Sequence, residues 1–438
     1  MRVLWLCNIM IPAIGEALGL PCSNREGWLT GLYERLRSRG EKEGQAGRKG
    51  EIELGICFPV PRLPREVIRR CSGRPGFSIE GAECYPFVEN LAAPERYDPS
   101  LEGQLRRALE DFRPDLVHIF GTEFPHALAM ARAYDRPERT LVGLQGICYA
   151  CAESYMADLP ERVIAGRTFR DWLKKDSILQ QQEKFRRRGE REREVLGRVG
   201  HVTGRTDFDR REAAACNAKA VYHFMNETMR RPFYSGRWEP SACTPCRIFL
   251  SQGDYPLKGF HYVLRALPEI LETYPRTRVC VAGSSVINFA SWKDRIKISS
   301  YGRYLLELIR EHGLEGHVEM LGRLSAEEMK EQLLKSSLFL CPSSLENSPN
   351  SLAEAMLLGV PSAASRTGGI PSLLAEEKEG LLFRPGDVKG LAEAVMRIWR
   401  EPEEAARRAE AGRMRAMELY DGEKNYRRLL EIYREICL

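Results

Sequence analysis

Residues 337–356 read SLFLCPSSLENSPNSLAEAM, and this stretch decides how the chain is interpreted. An apolar strand pattern, residues 337–341, runs through a polar turn into a helix that begins near Asn350. Free backbone N–H groups and the positive end of the helix dipole converge at such a junction, which favours a phosphate. Glu346 and Glu354 flank the junction and can accept hydrogen bonds from hydroxyl groups. The pattern therefore indicates a ligand that carries both phosphates and hydroxyls, such as a nucleotide sugar.

A purely structural interpretation of the two carboxylates is also open on spacing alone. Glu354 is then an acid in the first turns of the helix, favoured by the helix dipole, and Glu346 is a loop charge. The residues downstream favour the ligand, because residues 358–364 end the helix and start a short strand, and residues 365–371 (SRTGGIP) form a second glycine turn. Two successive strand–turn–helix units of this kind are what a doubly wound sheet presents to a ligand.

Several motifs together resemble the donor-site half of the retaining glycosyltransferases of family four, which have the GT-B fold. They are Glu346-x7-Glu354, Gly368-Gly369, residues 380–387 (GLLFRPGD) and residues 253–259 (GDYPLKG), which contain Lys258-Gly259. Residues 279–283 and 318–322 are similar to the central strands of that half. In the N-terminal half the matching segments, residues 114–123 and 204–206, are weaker. The likeness covers nearly the whole chain.

The resemblance implies an α/β protein of GT-B type, with two Rossmann-like, doubly wound domains facing an interdomain cleft. A length of 438 residues also exceeds what one hydrophobic core usually serves. We expect an N-terminal, acceptor-side domain at residues 1–236 and a nucleotide-sugar-binding domain at residues 237–417. Residues 418–438 are expected to form a C-terminal helix that crosses back to the N-terminal domain.

The resemblance also assigns roles to individual residues. Glu346 would contact the hydroxyls of the donor sugar, Glu354 those of the ribose, and Lys258 the diphosphate. The remaining donor-binding candidates are backbone groups that face the diphosphate, an arginine near the base, and glycines that allow close approach: Asn350, Ser351, Leu352, Arg323, Gly15, Gly368 and Gly369. Of these, Gly15 is expected in the loop after the first strand.

The chain departs from the family pattern at two places. The family has an arginine five positions before the lysine, where this chain has Gly253, so Arg205 is a candidate to supply the missing charge. Ser372 stands after Pro371, where the family commonly has a glutamate. His126 follows the strand pattern of residues 117–120 and matches a family histidine near the sugar; alone, it also fits a structural role. Gly27-Trp28 is a weaker candidate for backbone approach to a ligand.

The implied reaction is transfer with retention from a nucleotide-diphosphate sugar, UDP-linked, to a hydroxyl of a glycan or lipid-linked acceptor. No Asp-x-Asp accompanies the donor-site motifs, since the one at residues 207–209 lies in the N-terminal half, and we predict no metal requirement and no cofactor. The two CxxC pairs, at residues 148–151 and 243–246, are too far apart for a zinc ribbon. Two alternatives remain open: a GT-B nucleotide-sugar isomerase, and a catalytically silent nucleotide-sugar-binding protein of an assembly complex.

Composition limits the partners. The net charge of +5 is small for this length, and no nucleic-acid-binding motif accompanies it. No run of about 20 apolar residues occurs, and we expect a cytoplasmic protein. Residues 184–193 are rich in arginine: a solvated helix with paired charges is one interpretation, and peripheral contact with an anionic membrane is another.

Overall fold

The structure is a computed structural model that describes residues 1–20, 29–37, 51–79, 81–287 and 297–438. The chain divides into two compact units, which we call the N-terminal unit and the C-terminal unit. The N-terminal unit comprises Met1–Tyr149, Arg186–Met229 and Tyr420–Leu438, and the C-terminal unit comprises Ala150–Phe185 and Arg230–Leu419.

The N-terminal unit is built on an eight-stranded sheet of order β3-β4-β2-β1-β5-β6-β7-β8. All neighbouring strands are parallel except β3 and β4. The strands are β1 Arg2–Leu6, β2 Glu53–Val60, β3 Phe77–Ile79, β4 Ala82–Val88, β5 Leu116–Phe120, β6 Thr140–Gly143, β7 His201–Gly204 and β8 Val221–Phe224.

Helices cover both faces of this sheet because the central strands are apolar on both sides. In β1, Trp5 lies in the core on one face, whereas Leu4 and Leu6 lie in the core on the other. The helices of the unit are Pro12–Ala17, residues 29–37, Arg65–Cys71, Ser100–Phe112, Pro125–Tyr134, Asp207–Cys216 and Gly422–Cys437, with a 3-10 turn at Pro137–Arg139. Cys148–Ser154 and Ile178–Gly197 are shared between the units.

The C-terminal unit has a six-stranded, fully parallel sheet of order β11-β10-β9-β12-β13-β14. Its strands are β9 Thr244–Leu250, β10 Arg278–Ala282, β11 Val318–Gly322, β12 Ser336–Cys341, β13 Ser362–Ser365 and β14 Leu381–Phe383. Its helices are Glu161–Ile164, Phe169–Lys174, Phe260–Thr273, Ser300–Glu311, Ala326–Lys335, Asn350–Leu358, Ile370–Leu373, Val388–Arg400 and Pro402–Leu419, with 3-10 turns at Arg231–Tyr234 and Pro256–Lys258.

The strand order of each sheet reverses once, between β1 and β5 in the first and between β9 and β12 in the second. Ligands of open α/β sheets bind beyond the carboxyl ends of the strands at such a switch point. The prediction of an α/β protein with two doubly wound units is confirmed, and each unit contains its own candidate ligand edge.

The division into units differs from the predicted boundaries of 1–236, 237–417 and 418–438. Residues 150–185 group with the C-terminal unit because Tyr155, Leu159 and Ile178 lie in its hydrophobic core. The final helix groups with the N-terminal unit, where the hydroxyl of Tyr433 accepts a hydrogen bond from Trp5 Nε1 at 2.9 Å. No helix among the described residues combines the length and the apolar character needed to cross a membrane.

Candidate functional site

The candidate site of the C-terminal unit lies where β9 and β12 end side by side. The loop after β9 closes with the turn Pro256–Lys258, and Gly259 follows with a φ of +69°. A Cβ on Gly259 would lie 2.0 Å from the carbonyl oxygen of Pro342, in the loop after β12. Ser344 N–H also donates to Leu257 O at 2.8 Å. The two loops are therefore in direct backbone contact, and glycine is required at that contact.

This contact brings Lys258 and Glu346 together. Lys258 Nζ lies 2.6 Å from Glu346 Oε1, which also accepts a hydrogen bond from Ser343 Oγ at 2.8 Å. Burial alone would lower the pKa of Lys258, but the Glu346 carboxylate outweighs it and raises that pKa well above its usual value. The site therefore contains a partly buried ammonium that stays charged at neutral pH.

The second glycine turn holds the backbone of Glu346. Gly369 N–H donates to Glu346 O at 2.9 Å, and Thr367 Oγ1 donates to Ser344 O at 2.8 Å. Gly368 has a φ of +50°, and a Cβ there would lie 2.0 Å from Glu346 O. Gly368 and Gly369 thus act on Glu346 through its main chain, in addition to any contact with a ligand.

The helix Asn350–Leu358 begins at this site without a side-chain cap. Its N-cap residue is Pro349, which has no side-chain acceptor. Within the described part of the chain, no acceptor takes the N–H groups of Asn350 and Ser351. Leu352 differs from the prediction, because its N–H already donates to Pro349 O at 3.0 Å. The helix start therefore offers two N–H groups to an anion, and those come from Asn350 and Ser351.

Glu354 lies one turn further along the same helix, 3% exposed. Its Oε1 accepts from Arg230 Nε at 2.8 Å and lies 2.7 Å from Arg230 Nη2. Burial raises the pKa of Glu354 to about 7, and the Arg230 guanidinium opposes that rise. Sequence reasoning missed this partner because 124 residues separate the two side chains.

Arg323 follows β11, at the same edge of the sheet. Its Nε and Nη2 both lie 3.4 Å from Ser284 Oγ, in the loop after β10. The side chain is exposed, so it can reorient toward a ligand. In the C-terminal unit, Lys258, Glu346 and Arg323 thus follow the carboxyl ends of β9, β12 and β11, and Glu354 lies in the helix after β12.

The N-terminal unit has a second polar cluster at the carboxyl ends of β1, β4 and β5. His126 is fully buried at the start of the helix after β5. Its Nδ1 lies 2.6 Å from Glu89 Oε2, and its Nε2 lies 2.8 Å from Asn8 Oδ1. Each ring nitrogen thus faces an oxygen atom, and these two contacts hold the imidazole ring in place. The other Glu89 oxygen, Oε1, is buried without a partner in the described residues.

Two further carboxylates line the same region. Glu192 is fully buried and accepts hydrogen bonds from Thr122 Oγ1 at 2.6 Å and from Tyr149 N–H at 3.3 Å. Burial raises its pKa to about 8. Glu123 Oε1 accepts from Gly146 N–H at 2.7 Å. Sequence reasoning missed Asn8, Glu89, Glu123 and Glu192 as site residues. The pattern that could have identified the first three is a polar residue shortly after an apolar strand, and for Glu192 it is a polar residue among apolar positions of one helix face.

Two acceptor-side predictions turn out differently. Arg205 is buried, and its Nη1 lies 2.5 Å from Glu227 Oε2, so its charge is balanced within the N-terminal unit. Gly15 was predicted in a loop but lies in the helix Pro12–Ala17, where its N–H donates to Ile11 O at 3.1 Å. The helix forms because proline is favoured at the first helical position. Gly27 and Trp28 lie outside the described residues.

The arginines of the basic segment, residues 184–193, make more contacts within the protein than a solvated helix or a membrane-binding segment would require. Arg188 Nε donates to Glu123 O and Arg191 Nη1 to Glu95 O, both at 2.9 Å. Arg193 lies 4.4 Å from the centre of the Tyr149 ring. Several of its cations thus pack on their own unit. Within the described ranges, no group of three or more His, Cys, Asp or Glu residues is arranged to hold a metal ion.

The fold and the site together define a class of protein. The two parallel-sheet α/β units are those of a GT-B protein. The family model described as glycosyl transferases group 1 matches residues 245–415, which contain the whole β9–β12 site. Over these residues the chain is similar to the glycosyl transferases group 1.

Similar proteins include a glycogen synthase of Mycobacterium tuberculosis, 27% identical over 198 residues, or 44% of each chain. An amylovoran biosynthesis glycosyltransferase, AmsK of Erwinia amylovora, is 30% identical over 30% of this chain and 33% of its own. The chain therefore spans less than half the length of these curated relatives. The crystal structure of Anabaena HepE in complex with UDP-glucose matches with a TM-score of 0.64 at 14% identity, covering 99% of this chain and 100% of that one.

Proposed function

We propose that the protein is a retaining glycosyltransferase, similar to those of family four. It moves a sugar from a nucleotide-diphosphate sugar, UDP-linked, to a hydroxyl of a glycan or lipid-linked acceptor, without a metal ion or cofactor. The observation that carries the proposal is the Lys258–Glu346 pair, with its 2.6 Å contact, beside an uncapped helix start at the β9–β12 switch point.

The charges of this site suit a diphosphate donor. The Lys258 ammonium and the N–H groups of Asn350 and Ser351 are cationic or partly cationic groups that can converge on one anion. Glu346 then supplies an acceptor for sugar hydroxyls at the same point. Glu354, oriented by Arg230, supplies an acceptor for ribose hydroxyls. This division between donors and acceptors matches the two chemical halves of a nucleotide sugar.

The same groups can serve the chemical step. When the bond to the sugar breaks, negative charge develops on the leaving diphosphate, and a fixed ammonium stabilises it without reorganisation. The acceptor hydroxyl oxygen bonds to the sugar on the face that the diphosphate leaves, and its proton passes to the departing diphosphate oxygen, which gives retention. On the acceptor side, the His126–Glu89 pair is the candidate to orient the sugar, because its contacts with Glu89 and Asn8 hold the imidazole ring in place.

The relatives support the substrate classes. The HepE crystal structure contains UDP-glucose, which favours a UDP-linked donor. Glycogen synthase and AmsK, an amylovoran biosynthesis glycosyltransferase, favour a growing glycan as acceptor. Both activities are those of proteins that this chain matches over less than half of their length, so the donor and the acceptor have to be measured.

The test compares Lys258→Ala with a matched control, Lys330→Ala. The two lysines have side chains 20% and 19% exposed in the same unit, and Lys330 lies 4.0 Å from Glu327. Nucleotide-diphosphate sugars are first screened by thermal shift, because a bound donor raises apparent stability. The kcat/KM of Lys258→Ala should then fall by a factor that corresponds to a loss of about 2–4 kcal/mol of transition-state stabilisation. The kcat/KM of Lys330→Ala should match that of wild type.

Four outcomes would separate the proposal from its alternatives. Near-wild-type transfer by Lys258→Ala would move the phosphate site elsewhere. A product that forms from donor alone would identify an isomerase. Donor binding without turnover on any acceptor would identify a silent binding protein. An inverted product, or activity abolished by a chelator and restored by metal, would overturn the retaining, metal-independent mechanism.

A further inference from the structure

A short helix of the C-terminal unit, Phe169–Lys174, presents its apolar side chains to solvent. Phe169, Trp172 and Leu173 are 62%, 67% and 65% exposed. Their spacing of i, i+3 and i+4 places them on one helix face, and the two aromatic rings lie 5.9 Å apart. An apolar stripe of this kind normally packs into a hydrophobic core. An apolar stripe that faces solvent therefore indicates a surface that a membrane or another molecule covers.

The helix is held rigidly from its other side. Thr168 and Asp171 form a capping box at its N-terminus. The Asp171 side chain is fully buried, and its Oδ2 accepts hydrogen bonds from the N–H groups of Thr168 at 3.1 Å and Ser300 at 2.9 Å. The orientation of the apolar stripe is therefore fixed by the fold of the C-terminal unit and does not come from a frayed chain end.

Within residues 167–175, the charged side chains that are exposed are all positive. Arg167, Lys174 and Lys175 are exposed. The acidic side chains close by are engaged, since Asp171 is buried and Asp176 lies 2.9 Å from Arg170. The surface therefore combines large apolar side chains with surrounding cations. This combination is typical of segments that insert at the boundary between anionic headgroups and acyl chains.

We propose that the helix Phe169–Lys174 docks the protein on an anionic lipid surface. Trp172, Phe169 and Leu173 enter the interface, and the flanking cations contact the headgroups. A second copy of the chain fits this surface less well, because two such patches would bring like charges together. Three side chains also provide much less than the roughly 800 Å² per partner of a stable protein interface. The proposal does not depend on the sugar-transfer reaction, and it concerns a different surface from residues 184–193.

The test is co-sedimentation of the full chain with phosphatidylcholine vesicles, with and without phosphatidylglycerol, at low and physiological salt. The test variants are Phe169→Ser/Trp172→Ser and Lys174→Glu/Lys175→Glu. The matched control is Phe224→Ser, which removes an aromatic side chain that is 51% exposed on β8 of the other unit. Circular dichroism establishes that each variant is folded.

Wild type should bind the anionic vesicles, more weakly as salt rises. Each double variant should lose roughly tenfold or more in bound fraction, with Phe224→Ser unchanged. Brominated lipids should quench the Trp172 fluorescence of bound protein. The Trp172→Phe variant should still bind the vesicles, but the part of the fluorescence quenching that comes from Trp172 should be absent.

Three results would overturn the proposal. The first is no binding of wild type to anionic vesicles, and the second is equal binding by Phe169→Ser/Trp172→Ser. The third is self-association of wild type in sedimentation velocity that the same double variant abolishes, because it would assign the surface to a second copy of the chain.

Discussion

Replacing Arg230 by methionine should destabilise the C-terminal unit in a way that depends on pH. Arg230 contacts the carboxylate of Glu354 at 2.7–2.8 Å, and Glu354 is buried. Methionine keeps much of the aliphatic volume and removes the charge and the hydrogen bond from Nε to Glu354. The size of the loss depends on whether Glu354 is ionised in the folded protein.

The magnitude follows from the pKa of Glu354, which burial raises from 4.5 to about 7. An acid whose pKa is raised on folding loses stability as pH rises from its unfolded to its folded value, and that loss levels off above it. At about pH 5.5, Glu354 is neutral, so the variant should lose only a hydrogen bond, about 1 kcal/mol. Without Arg230, the pKa of Glu354 in the folded protein rises further. The variant should therefore lose about 1.4 kcal/mol of unfolding free energy relative to wild type for each pH unit above about 7.

Protonation therefore limits the damage. Breaking a buried ion pair typically costs about 3–5 kcal/mol when the remaining charge cannot neutralise. Glu354 can take up a proton instead, so we expect about 2–3 kcal/mol at about pH 8, with the slope as the distinguishing sign.

The assay is urea unfolding followed by circular dichroism at several pH values, with Arg237→Met as the matched control. Arg237 lies 3.0 Å from Glu410 in an exposed ion pair, with side chains 57% and 40% exposed. Such a pair contributes about 0–1 kcal/mol, so the control should change little at any pH. A loss in Arg230→Met that is equal at about pH 5.5 and pH 8 would refute the reasoning about Glu354.

Two further predictions concern Glu192 and Gly368. Burial raises the pKa of Glu192 from 4.5 to about 8, so ionising this carboxylate costs wild type folding free energy as pH rises. Relative to wild type, Glu192→Gln should therefore be more stable at about pH 8.5 than at about pH 5, by about 3–5 kcal/mol. Parallel pH–stability curves for variant and wild type would contradict this prediction. Gly368→Ala should destabilise by about 1–3 kcal/mol and reduce transfer, because its Cβ would meet Glu346 O at 2.0 Å. Gly313→Ala, with a φ of +62° and no atom within 4 Å of the new Cβ, measures the backbone strain alone, and an equal effect of the two substitutions would exclude the contact with Glu346.

The sheets and the ligand edge were predictable because their signals are local. Apolar runs of strand length, followed by polar or glycine turns, indicated β12 and β13, and a doubly wound sheet places its ligand groups at the carboxyl ends of such strands. Lys258 and Glu346 lie in the loops that follow β9 and β12, and parallel strands end at one edge. Their contact therefore follows once β9 and β12 are neighbours.

The remaining site residues could not be predicted because their contacts are distant in sequence. Arg230 meets Glu354 across 124 residues, and His126 meets Asn8 across 118. Gly15 was misplaced because a glycine suggested a loop, whereas Pro12 begins a helix there. Residues 150–185 were assigned to the wrong core because an amphipathic segment does not indicate which sheet it packs against.

The N-terminal unit is assembled from three separate segments of the chain, and the last is the helix Gly422–Cys437. Tyr433 of that helix is fully buried against Trp5 and His118, in the centre of the first sheet. During synthesis, β1 is made long before the helix Gly422–Cys437 and lacks this cover until that helix has left the ribosome. The apolar face around Trp5 must therefore stay protected, by transient collapse or by a chaperone, while the entire C-terminal unit is made.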